Sequence, residues 1–207
     1  MNDLDEIIIT NEFERRELRK QRIMILSGDI DTGTAHEFIE DVMLLIKDSK
    51  DPITLIITSP GGSAFAGFAI IRAIRYAQKH GVKVIGSVYG QAMSMAFFIL
   101  QCCDVRKMGS LCVLMAHGVT TGFVGDMRNA EAEHKLLRLW QKDLSELVAE
   151  RCSKKDSQYG KPEYWFAILR DNTPQFYSAE ESLEMGLVDT TYEDSESETS
   201  SSECKTP

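Results

Sequence analysis

Apolar residues in this chain fall into two rhythms: short unbroken runs, and stripes recurring every three to four positions. Arg22-Ile23-Met24-Ile25-Leu26, Ile53-Thr54-Leu55-Ile56-Ile57-Thr58, the stretch 82–89 and the stretch 111–116 are runs. They predict strands buried on both faces. Between them, Ala35, Phe38, Ile39, Val42, Leu45 and Ile46 repeat at helical intervals, with Thr34 and Glu37 in capping-box spacing. Gly67, Ile70, Ile71, Ile74 and Ala77 form a second stripe, opposite Arg72, Arg75 and Lys79. Met95-Ala96-Phe97-Phe98-Ile99-Leu100 predicts a short core helix. A longer helix is predicted over about 127–151, where Leu137, Trp140, Leu144, Leu147 and Val148 recur. Its first half, with Glu131, Glu133, His134 and Lys135, is polar, as in a helix that projects from the core and packs on another subunit. The βαβαβα order predicts an α/β fold: a mainly parallel sheet with helices packed on it.

Composition narrows the class. A chain of 207 residues, 43% hydrophobic, suits one α/β domain with a sizeable core. The formal charge of −9 argues against a nucleic-acid partner. No apolar run reaches the roughly 18 to 20 residues of a membrane helix, so no membrane partner is expected. The start, Met1-Asn2-Asp3-Leu4-Asp5-Glu6, lacks the basic and apolar regions of a signal peptide. Cys102, Cys103, Cys112, Cys152 and Cys204 are odd in number and show no C-x-x-C spacing. They fit reduced thiols in a cytoplasmic protein. Histidines scattered at 36, 80, 117 and 134 give no metal site. Three segments are expected: an N-terminal segment 1–21, a catalytic domain 22–193, and an acidic Ser-rich tail 194–207 with too few apolar residues to fold.

Candidate chemistry sits where strands end. Ser94, in Gly90-Gln91-Ala92-Met93-Ser94-Met95-Ala96, stands between a strand and a helix. Unpaired N–H groups there favour developing negative charge. An N-cap serine is the plainer alternative. A serine that attacks an amide needs a base, a group that orients the base, and N–H donors for the oxyanion. His117 ends the run 111–116 and supplies a base at the edge of the sheet. Ser59-Pro60-Gly61-Gly62 puts two glycines at a strand-to-helix turn, where backbone can approach a ligand closely. All three follow successive strands of one inferred sheet, and their joint placement is the signal.

Ser59-Pro60-Gly61-Gly62-Ser63, then Gly90 to Ala96, then Met115-Ala116-His117, resemble the proteolytic subunits of the caseinolytic (Clp) proteases. Phe176-Tyr177-Ser178-Ala179-Glu180-Glu181 and Gly186-Leu187-Val188-Asp189 are similar as well, so the resemblance covers about residues 22–192. It implies a crotonase-like fold of repeated ββα units with parallel sheets and a projecting handle helix, matched by 127–151. It also implies a serine endopeptidase with Ser94 as nucleophile, His117 as general base and acid, and the N–H groups of Gly62 and Met95 as oxyanion hole. The family forms stacked rings of seven subunits around a chamber and is fed unfolded protein by an AAA+ ATPase unfoldase. This chain has no G-x-x-x-x-G-K-[ST] motif, so ATP is expected to be used by that partner, with no cofactor in the chain itself. Ile7-Ile8-Ile9 would belong to a pore loop.

The third triad member departs from the pattern. The family usually has Asp two residues before the Phe of Phe-x-Ser-Ala, and here that position is Pro174. Asp171 is the expected replacement, because a carboxylate best stabilises an imidazolium, with Asn172 as the alternative. Three other readings stay open: a phage head-maturation protease of this type, a crotonase-superfamily acyl-CoA enzyme, and an inactive ring subunit.

Overall fold

The computed structural model describes residues 13–120, 127–152 and 156–192. Residues 13–20 form helix α1, followed by β1 (Ile23–Ile30), α2 (Thr32–Asp48), β2 (Ile53–Gly62), α3 (Ala64–Lys79), β3 (Val84–Met93) and α4 (Met95–Gln101). Then come β4 (Val105–Gly109), β5 (Val113–Ala116), α5 (Met127–Arg151), α6 (Pro162–Asp171), β6 (Gln175–Tyr177), α7 (Ala179–Met185) and β7 (Thr190–Tyr192). The expected tail 194–207 and Ile7-Ile8-Ile9 lie outside the described residues.

One sheet organises these elements, in the order β1-β2-β3-β4-β7, and every pairing along that path is parallel. Its central strands are apolar on alternate residues down to complete burial, with Leu55, Ile57 and Val88 at 0% exposure. The stripe Gly67, Ile70, Ile71, Ile74 and Ala77 is buried as expected, while Arg72, Arg75 and Lys79 face out. The mixed α/β architecture with a mainly parallel sheet therefore holds. The second half of α5 is anchored by buried Leu144, Leu147 and Val148; from Arg128 to Asp143 no residue of it is buried.

Strand β3 does two jobs. Ile85 to Val88 pair with β4, and Gln91 to Met93 pair with β5. The corner between them is Tyr89-Gly90, with Gly90 at φ 95. Buried Cys112 clamps it: Sγ donates to Val88 O (3.1 Å) and accepts from Gly90 N (3.0 Å). This corner carries the chain from the core sheet to the edge where β5 and β6 pair antiparallel.

Some local expectations change. The α2 cap is Asp31, whose carboxylate accepts from Thr34 N (2.8 Å), and not a Thr34/Glu37 box. Glu37 turns instead to Arg15 of α1 (2.6 Å), and Arg15 and Arg19 both reach Asp41. Strands β1, β2 and β3 run past the apolar runs into their glycine-containing ends. Strand β4 and helix α6 were absent from the hydrophobic pattern. Charged Arg106 interrupts β4 yet is only 1% exposed, because Asp189 (2.6 Å) and Gln101 (2.7 Å) satisfy its guanidinium.

Candidate active site

The register of β3 on β5 sets the site. Met93 pairs with Met115, and Ser94 N donates to Met115 O (2.8 Å), so the ends of the two strands stay side by side. Ser94 and His117 are thereby brought together: His117 Nε2 lies 2.8 Å from Ser94 Oγ. Ser94 is the N-cap residue of α4, but its side chain makes no capping hydrogen bond. Its hydroxyl serves the imidazole, which removes the plain N-cap alternative. Its backbone is at φ 52, ψ −122, a region costing a non-glycine residue about 1–3 kcal/mol and recurrent at functional sites.

The glycine turn packs on this serine. Gly61 has φ 99, and a Cβ there would stand 2.6 Å from Ser94 Cβ and 3.0 Å from Met95 N. Buried Ser59 fixes the turn, donating to Gly28 O (2.6 Å) and accepting from Gly61 N (3.1 Å). Ser63 N donates to Ile30 O (2.7 Å) while Ile30 pairs with Gly62. In a parallel ladder that leaves the Gly62 N–H facing away from β1. Met95 opens α4, so its N–H belongs to the first turn, which has no partner within the helix. A cavity of about 270 Å³ joins these groups; Gly62, Met95, Ser94 and His117 border it, and Phe65, Phe98, Val119 and Trp140 give it apolar walls. Phe65 and Trp140 meet edge to face with centroids 4.8 Å apart.

Of the two residues weighed for the third position, the structure brings Asn172 and not Asp171 to the ring. Asp171 is the last residue of α6 and is exposed. The side chain that reaches the imidazole is Asn172, with Oδ1 3.4 Å from His117 Nδ1. The reason lies in the helix end: Asp171 keeps the helical backbone, whereas Asn172 leaves it. Asn172 ends α6 at φ 59, ψ 13, the left-handed conformation that Asn tolerates. With the proton on Nδ1, that nitrogen donates to Asn172 and Nε2 accepts from the Ser94 hydroxyl.

Sequence reasoning missed Gly118, Phe65 and the role of Trp140 as a cavity wall. A Cβ on Gly118 would overlap Leu169 O and stand 3.1 Å from Asn172 Oδ1, so the glycine lets α6 press against His117. A glycine directly after the histidine was the available signal. Trp140 read as core because its position continues the apolar stripe. Among the described residues no group of three His, Cys, Asp or Glu side chains gathers to hold a metal, and no helix is long and apolar enough to cross a membrane. The family model described as Clp protease matches residues 10–195.

Proposed function

The chain belongs to the Clp protease family, and from that footing we propose that it is a serine endopeptidase acting through an acyl-enzyme on Ser94. One observation carries the reading: the Ser94 hydroxyl forgoes its helix and lies 2.8 Å from His117 Nε2. As Oγ attacks the scissile carbonyl, His117 takes its proton, and the new C–O bond places negative charge on the carbonyl oxygen. The N–H groups of Met95 and Gly62 receive that oxyanion. His117 then gives the proton to the leaving amine, the C–N bond breaks, and the acyl group stays on Ser94. Water, deprotonated by the same imidazole, releases the acid and restores the serine. Metal and cofactor have no step in this sequence.

The substrates we propose are unfolded proteins, bound with an apolar side chain against Phe65, Phe98 and Trp140. Assembly into two stacked seven-membered rings, delivery by an AAA+ ATPase unfoldase and a cytoplasmic setting complete the proposal. Support for assembly comes from apolar side chains the single chain leaves open, including Ile25, Leu44 and Leu111, and from the first half of α5, where no residue from Arg128 to Asp143 is buried.

Hydrolysis of fluorogenic peptides tests the chemistry. Ser94→Ala and His117→Ala should each lower kcat/KM by roughly 10⁴-fold or more, with circular dichroism unchanged. Hydrolysis that survives Ser94→Ala overturns the proposal; binding of a CoA ester in its place would favour the acyl-CoA reading.

A further inference from the structure

We propose that Asn172, a neutral amide, is the positioning residue for His117, doing without charge what a carboxylate does in most serine triads. The proposal rests on the Ser94–His117 chemistry above. Three observations converge on this residue. Its Oδ1 is the side-chain atom on His117 Nδ1, at 3.4 Å. Its backbone closes α6, with N–H donated to Ile168 O (3.2 Å) and φ 59, so the amide sits at a fixed turn and not along a mobile loop. Gly118, next to His117, leaves no room for a side chain against Leu169 O and Asn172 Oδ1, so the residue after the histidine packs directly on the helix end that carries the amide.

An amide selects the Nδ1–H tautomer by accepting its proton, but it adds no charge opposite the imidazolium that forms in the transition state. Among the described residues, the hydroxyl of Ser94 and the amide of Asn172 are the groups hydrogen-bonded to the ring, and neither is ionised. The charged side chains beside the amide on α6 are Arg170 and Asp171, present in every variant compared. A carboxylate in place of the amide would attract the imidazolium across about 4 Å, worth a factor of about five or more in this partly exposed setting. The chain is therefore a triad with its orientation intact and part of its electrostatic stabilisation missing.

Two substitutions in the full chain separate positioning from structure. Asn172→Gly suits the left-handed turn and keeps the fold, so the melting temperature and KM should hold while kcat falls about 10- to 100-fold. Asn172→Asp should raise kcat about fivefold or more and move the acid limb of the pH–rate profile to higher pH, because a carboxylate favours the protonated ring. A wild-type kcat in Asn172→Gly, or an Asn172→Asp profile superimposable on wild type, overturns the proposal while Ser94-dependent hydrolysis keeps the peptidase reading standing. Loss of Ser94 dependence in the wild type overturns both.

Discussion

Replacing Gly61 by alanine tests how tightly the glycine turn holds the nucleophile. The new Cβ would stand 2.6 Å from Ser94 Cβ, 2.7 Å from Met93 O and 3.0 Å from Met95 N, at a backbone φ of 99. Two costs add. The left-handed backbone costs an L-residue about 1–2 kcal/mol, and forcing a methyl into filled space costs about 1–3 kcal/mol. The sum, about 2–5 kcal/mol, is a large share of an ordinary folding free energy. Gly81→Ala is the control: it carries φ 80 with nothing within 4 Å of the new methyl, so only the first cost applies. Denaturant melts of both variants should therefore differ by about 1–3 kcal/mol. The surviving folded Gly61→Ala must also shift Ser94, and a displacement near 1 Å costs roughly a hundredfold in rate. Fluorophosphonate labelling should slow accordingly in Gly61→Ala and stay at wild-type rate in Gly81→Ala. Equal melts and equal labelling rates would refute the claim that the turn braces the serine.

Other perturbations test separate parts of the account. Asp171→Ala, at an exposed helix end, should leave peptide hydrolysis within about twofold of wild type; a large loss would place Asp171 in the triad. Asp189→Asn should destabilise by about 2–4 kcal/mol at pH 7, below the full cost of breaking a buried pair because its side chain keeps 34% exposure while Arg106 keeps 1%. Burial opposes ionisation of Asp189, but hydrogen bonds and charge from Arg106 prevail and hold its carboxyl below the usual range. That stabilisation is full above about pH 4 and is lost as pH falls through the lowered value, so melts of wild type and Asp189→Asn should converge in acid. Burial pushes the Cys102 thiol up to about 12, so iodoacetamide at pH 8 should spare Cys102 in the native chain and modify it after unfolding.

Much of this is legible in the sequence. The apolar runs marked the strands and the 67–77 stripe marked a buried helix face, but burial on both strand faces did not follow: β1 and β2 bury alternate residues, and Ile25 is left exposed. Ser94, His117 and the Gly61-Gly62 turn stood out by their places at strand ends, while the donor roles of Gly62 and Met95 came with the family resemblance. What escaped depends on long-range geometry. Arg106 hides β4 because its partner, Asp189, lies far along the chain. The choice between Asp171 and Asn172 turns on the residue at which α6 stops, and a one-residue difference in a helix end rotates a side chain to another face. Trp140 belongs to a helical stripe by spacing, and only the packing of α3 against α5 makes it a wall of the cavity.

The central claim is a serine made nucleophilic by its histidine neighbour, and mass spectrometry after fluorophosphonate treatment tests it most directly. One adduct per chain is expected, on the peptide containing Ser94, and His117→Ala should abolish it in a folded protein. An adduct on another residue, or labelling of Ser94 that persists without His117, would contradict it.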